Sequence, residues 1–249
     1  MRNNLFSDLT DVYEAMIDWP KRLANEVPFY RRWFERAGVR SVLDAACGTG
    51  RHAAMFHDWG LRVEGADLSE GMIRRARAAF GESERLRWTV RGFDQPVEAA
   101  EPFDAVLCVG NSLALAPDLA TAHRAIQQML GAVRRGGIIV VHVLNLWRLV
   151  DGPCLWQKCR RATLPQGELL ILKGIHRSGS RGFVDLILTS FPSGTLVHSE
   201  SVPFLGLEHA ELGQMARDAG AAQVDFFGGY RDQPYDREES IDLVMMAAK

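Results

Sequence analysis

The hydrophobic pattern of the chain changes character near residue 150. Before it, short apolar runs alternate with longer stretches of helical period. Val39–Ala46, Leu61–Ala66, Leu86–Arg91, Asp104–Val109 and Ile138–Leu144 predict strands. Helix-spaced residues such as Ala53, Ala54 and Phe56 predict helices over Gly50–Gly60, Ser69–Phe80 and 118–134. The last of these is expected to end in a basic turn and glycine stop at Arg134-Arg135-Gly136-Gly137. Residues 9–37 read as one or two amphipathic helices, with Pro20 and Pro28 as breaks or first-turn residues. Such alternation predicts right-handed βαβ units, and the nearly unbroken strands predict burial on both faces. The fold class is therefore α/β, a doubly wound and mostly parallel seven-stranded sheet.

Beyond residue 150 the segments 155–163, 168–177, 182–191 and 195–204 are separated by turn chemistry at Pro165-Gln166-Gly167, Gly179 to Gly182 and Pro192 to Gly194. They predict an antiparallel β-hairpin insert after the fifth strand. A helix over Glu208–Ala219 and strands near 222–228 and 241–248 complete the pattern. The expected organisation is one domain, 1–249: a helical cap (1–37), a ligand-binding half (38–150), a β lid (151–206) and a terminal helix with the last strands (207–249).

Composition narrows this only a little. An apolar fraction of 47% and a charged fraction of 24% are those of an ordinary globular protein. The net charge of −2 supplies no global field for nucleic acid or an anionic membrane. Arg74-Arg75 with Arg77, and Lys158 to Arg161, read as solvated faces. Cys47, Cys108, Cys154 and Cys159 form no CxxC pair and have no histidines at ligand spacing, so no metal is expected. No signal-peptide core or long apolar run stands out, and the expected location is the cytoplasm.

The informative chemistry is Val42-Leu43-Asp44-Ala45-Ala46-Cys47-Gly48-Thr49-Gly50-Arg51-His52, a strand running through G-x-G into a helix. Gly48 and Gly50 let backbone approach a ligand closely, and the helix start offers free N–H groups. Gly48-Thr49-Gly50-Arg51-His52-Ala53 also satisfies a dinucleotide pattern, with Asp67 a suitable distance on, so an NAD-dependent oxidoreductase remains open. Asp44, however, would repel a pyrophosphate and suits a zwitterionic or cationic ligand. No second domain remains for a dehydrogenase's substrate half.

VLDAACGTGRH resembles the first motif of class I S-adenosylmethionine-dependent methyltransferases, and VEGADLSEGMI resembles their second. The flanks are similar to a small-molecule branch that includes glycine and sarcosine N-methyltransferases. That likeness rests on Tyr13 to Arg22, on Cys108-Val109-Gly110-Asn111-Ser112 and on Asn145. The resemblance implies a Rossmann-like fold and S-adenosylmethionine as cofactor. It implies cofactor contacts from Tyr13, Arg22, Asp44, Ala46, Gly48, Gly50, Asp67, Leu68, Met72, Phe93, Asp94, Gly110, Asn111 and Ser112. Asp67 would take the ribose hydroxyls, Phe93 and Asp94 the adenine, Arg22 the methionine carboxylate. Against these stand plainer readings: Asp67 as a helix cap three before Glu70, Asp94-Gln95-Pro96 as a turn, Arg22 as a solvated side chain.

Asn111, Asn145 and Trp147 are candidates for the acceptor side. The branch carries an arginine for the substrate carboxylate just before that asparagine, where this chain has Leu144. Leu113, Leu115, Leu146, Trp147 and Trp156 suggest instead an apolar acceptor pocket. The (D/N)PP(Y/F) pattern of nucleobase and glutamine methylation is absent, so a small-molecule acceptor is expected and nucleic acid is not. None of the seven histidines has an acidic partner at recognisable spacing, so no general base is nominated. The expected reaction is direct in-line displacement, with N favoured over O; a non-catalytic S-adenosylmethionine-binding protein remains an alternative.

Overall fold

The computed structural model describes residues 9–165 and 167–249; the start of the expected cap and Gln166 of the expected turn lie outside them. In the first half, α1 (Thr10–Met16) and α2 (Trp19–Ala37) precede β1 (Ser41–Asp44), α3 (Arg51–Asp58), β2 (Arg62–Asp67) and α4 (Glu70–Phe80). Then come β3 (Leu86–Val90), β4 (Phe103–Cys108), α5 (Leu119–Ala132) and β5 (Val133–Leu144). The insert supplies β6 (Leu155–Leu164), β7 (Gly167–Ser178), β8 (Arg181–Ser190) and β9 (Leu196–Leu205). The chain closes with α6 (His209–Asp218), β10 (Gln223–Phe227) and β11 (Asp242–Ala248).

Seven strands form one sheet in the order β10-β11-β5-β4-β1-β2-β3. Strands β1 to β5 pair in parallel, and β11 runs antiparallel to both β5 and β10. The expected mixed sheet and antiparallel insert are thus present, the insert being a four-stranded meander β6-β7-β8-β9. Strand alternation sends Val106, Cys108, Ile139, Val141 and Val143 to one face, where α5 and α6 cover them. Ala105, Leu107, Ile138 and Val140 go to the other, against Phe29, Tyr30 and Phe34 of α2, Phe56 of α3 and Ile73 of α4. A third, smaller core joins Val12 and Met16 of α1 to Leu169, Ile171, Leu186 and Leu188 of the insert.

Two boundary expectations are corrected. The N-terminal break falls at Ile17-Asp18, where the Asp18 carboxylate accepts from the Lys21 amide and Pro20 sits in the first turn of α2. Pro28 lies inside that helix and does not break it. Arg134 to Gly137 belong to β5, not to the end of α5. The Gly136 amide donates to Lys249 O, and the Lys249 amide donates to Gly137 O, so pairing with the chain's last residues draws this segment into the sheet. Arg134 also reaches Asp104.

Asp104 is a junction for the sheet's N-terminal edge. Its carboxylate accepts from the amides of Arg40 at 2.8 Å and Ser41 at 2.9 Å besides binding Arg134. Those bonds outweigh burial and lower its pKa. Asp104→Ala leaves the two amides without their acceptor, and a loss of about 2 kcal/mol is expected. Urea unfolding should show a lower midpoint with unchanged slope.

Candidate active site

Order reverses between β1 and β4, and at such a switch point the crevice beyond the strand ends opens for a ligand. A cavity of about 1810 Å³ lies there. It exceeds the roughly 300–1,000 Å³ of an ordinary small-ligand site, which leaves room for two ligands together. Residues of the glycine loop, the β2, β3 and β4 ends, α1, α2 and the insert all line it.

The loop's shape follows from two bare positions. Gly48 takes φ +55°, a backbone conformation that favours glycine, and the Tyr13 ring lies against it, with Oη 3.5 Å from where a Cβ would stand. Its amide donates to Asp67 Oδ2 at 2.9 Å, while the Ser69 amide donates to Oδ1 at 2.9 Å. Asp67 therefore ties the end of β2 to the loop, and burial raises its pKa. The cap of α4 is Ser69, which accepts from the Met72 amide, so the capping role considered for Asp67 is corrected. Gly50 does not line the cavity. It starts α3 at φ +85°, and a Cβ there would sit 2.6 Å from the Trp88 ring: packing, not ligand approach, demands glycine. Asp44 also stands behind the wall, 1% exposed, with neither oxygen in a hydrogen bond of good geometry. Burial, against the pull of His52 and the Ala46 amide, pushes it up to about 6. Ala46, Leu68 and Met72 line the cavity beside the loop.

The N-terminal helices form the roof. Glu14 binds Thr49 and Arg51, fastening α1 to the glycine loop. Arg22 faces the cavity, close enough to Gly110 that a Cβ there would lie 3.3 Å from its guanidinium. Its Nε donates to Glu26 at 2.8 Å, and His52 Nε2 lies 2.6 Å from the other Glu26 oxygen. Burial raises Glu26, but His52 and Arg22 outweigh it and hold the carboxyl at about 2. The solvated reading of Arg22 is thereby corrected.

Phe93 and Asp94 line the far end, and a turn is present as well, since the Gln95 amide donates to Gly92 O. At the β4 end, Gly110 and Asn111 take φ of +77° and +71°. Asn111 Oδ1 accepts from the Leu144 amide, and its own amide donates to His142 O, so it laces β4 to β5 while lining the cavity. Ser112 donates to Val109 O beside it.

Asn145 and Trp147 are corrected as acceptor candidates, for neither lines the cavity. Asn145 donates to Arg237 O and Ser240 O and accepts from Tyr235 and the Trp147 amide. Its amide is spent holding the loop before β11. The apolar acceptor pocket is corrected too. Leu113 and Leu146 are core residues, Trp156 is half exposed, and of the expected set only Leu115 lines the cavity. The insert contributes Lys158, Lys173, Arg181, Val184 and Val202 instead.

Four histidines do have acidic partners, contrary to the expectation from spacing: His52 with Glu26, His142 with Asp242, His176 with Asp185 and His198 with Glu200. The first two pairs are made by tertiary contacts that no local spacing encodes. His142 lines the cavity, yet its Nδ1 accepts from the Gly110 amide at 3.0 Å. That puts the proton on Nε2, which lies 3.1 Å from Asp242 Oδ1 without hydrogen-bond geometry, so the ring keeps no free lone pair with which to act as a base. Cys154 joins His176 and Asp185, three ligand-type atoms within 4.8 Å that sequence spacing concealed.

Asp44 generates a pH prediction. A carboxyl whose pKa is raised by folding contributes stability below its unfolded value of 3.8 and loses it as pH rises through about 6. At neutral pH the ligand-free fold therefore bears a cost on the order of 2–3 kcal/mol. Asp44→Asn should melt a few degrees higher than wild type near pH 7.5, with the difference gone near pH 4. Calorimetric melts at the two pH values decide it; identical behaviour at both would show that the carboxylate is compensated.

Residues 42–137 match a sequence family described as "Methyltransferase domain". The chain is 29% identical over 234 residues to a glycine/sarcosine N-methyltransferase of Parasynechococcus marenigrum, covering 90% of this chain and 78% of that one. It is 33% identical over 144 residues to the glycine N-methyltransferase of Homo sapiens, across 50% of this chain and 49% of the human protein, so it spans about half the length of that relative. A solved amino pentose methyltransferase from Micromonospora echinaspora, with S-adenosylmethionine bound, superposes with a TM-score of 0.71 at 19% identity, over 96% of this chain and 97% of that one. The buried carboxylate of Asp44 beneath the loop suits a ligand carrying an ammonium better than a pyrophosphate. The domain match, the fold and these relatives together support a class I S-adenosylmethionine-dependent methyltransferase with S-adenosylmethionine as cofactor.

Proposed function

We propose that the chain methylates the nitrogen of a small-molecule amine, holding cofactor and acceptor together in the cavity beneath α1, α2 and the insert. When bound, S-adenosylmethionine supplies an electrophilic methyl group on a sulfonium that leaves readily. The residues placed to receive it are those already lining one side of the cavity. Asp67 has lone pairs left for vicinal hydroxyls, Phe93 and Asp94 suit a flat base with an exocyclic amine, and Arg22 suits a carboxylate. Asp44, through the Ala45-Ala46 turn above it, favours an ammonium.

The observation that carries nitrogen over oxygen is the commitment of His142. A hydroxyl acceptor needs a base to take its proton, whereas a neutral amine brings its own lone pair. His142 is the imidazole that lines the cavity among the described residues, and its two nitrogens are turned to Gly110 and Asp242. Positioning alone supplies roughly 7–11 kcal/mol when attack geometry is enforced, so such a site needs no acid or base. The names of the two relatives, both N-methyltransferases, support the same reading.

Two measurements test it. S-adenosylhomocysteine at about a hundred times its Kd should stabilise the fold by about 2.7 kcal/mol, and NADH should not. In a screen for S-adenosylhomocysteine release, amines should turn over and their hydroxyl isosteres should not. Equal rates for the two would remove nitrogen selectivity, and cofactor binding without release across the screen would favour a sensor.

A further inference from the structure

We infer that Lys173 of the insert anchors an anionic group, a carboxylate or a phosphate ester, carried by the methyl acceptor. This rests on the methyl-transfer reading above and names the class of acceptor.

Lys173 continues the face of β7 on which Leu169 and Ile171 pack against Val12 and Met16 of α1. An apolar residue is what that face calls for; a lysine stands there, on the cavity wall. Directly opposite in register on β6 is a second cation, Lys158. Like charges facing each other across a strand pair destabilise a sheet. Lys158 is relieved by Met16 O, which accepts from its ammonium at the C-terminal end of α1. Arg22, the other cation acting on this spot, is relieved by Glu26.

Lys173 has no such relief. No hydrogen bond or ion pair reaches its ammonium among the described residues, and the charges that act on it, Lys158 and Arg22, are both positive. Burial, with those two neighbours, pushes it down to about 8. The cavity's acids are engaged elsewhere. Glu26 binds Arg22 and His52, Asp67 the loop amides, Asp94 Arg124, Asp232 Arg32, Asp242 His142, and Asp18 caps α2. A half-buried ammonium without counter-charge is costly, and a ligand anion is what removes the cost.

The acceptor is the ligand we assign to this position. Lys173 belongs to the insert wall with Arg181, Val184 and Val202, whereas Arg22 stands against Gly110 at the β4 end.

Calorimetry on the S-adenosylhomocysteine-saturated protein tests this with matched probes: sarcosine against sarcosinamide, and phosphoethanolamine against ethanolamine. The anionic member of one pair should bind at least about tenfold more tightly, and the pair that responds tells carboxylate from phosphate. Lys173→Met should erase that preference and leave S-adenosylhomocysteine affinity within about twofold, while Lys173→Arg should keep the preference. Met fits the apolar face, so the ligand-free variant should melt higher than wild type. The inference is overturned if neither anion is preferred, if Lys173→Met retains the preference, or if that variant loses about tenfold in S-adenosylhomocysteine affinity, which would assign the anion to the cofactor. Failure of wild type to bind S-adenosylhomocysteine at all would instead bring down the methyl-transfer reading itself.

Discussion

A carboxylate clamped between two backbone amides sets the geometry of this protein's site. Asp67 receives the N–H groups of Gly48 and Ser69, one on each oxygen, and so fixes the glycine loop against the start of α4. Both attachments leave a lone pair on each oxygen. The same group that fastens the loop is thus available to a ligand, and the two amides orient it before any ligand arrives. Around this clamp the remaining parts find their places. Tyr13 rests over Gly48, and the Arg22 guanidinium lies close to Gly110.

Much of this was legible in the sequence, and the reason is local. The β–α alternation, the G-x-G bend, Asp67 at a strand end and the hairpin turns after residue 150 are all patterns within a few residues. Where sequence misled, the cause was tertiary. Arg134 to Gly137 carry every mark of a helix stop, yet hydrogen bonds to Lys249, just past β11 and more than a hundred residues on, draw them into the sheet. Gly50 looked like a ligand-contact glycine, but the ring of Trp88 decides it. Asn145 was singled out by the family resemblance, yet its amide is consumed by a loop ninety-odd residues away.

The histidines make the point most sharply. His142 and Asp242 meet because β5 and β11 are antiparallel neighbours, a pairing no one-dimensional spacing contains. The contact then turns the imidazole into a support for Gly110, with its proton location dictated by a backbone amide. A residue type that invites a catalytic role is occupied in shaping the backbone beside the reaction.

The small core shared by α1 and the insert has a consequence for how such a site can change. Val12 and Met16 pack on Leu169, Ile171, Leu186 and Leu188, while α1 is bolted through Glu14 to the glycine loop. The two walls of the cavity are therefore one mechanical unit. A substitution that reshapes the insert therefore also bears on α1 and, through Glu14, on the glycine loop, so a change at one wall of the cavity is felt at the other.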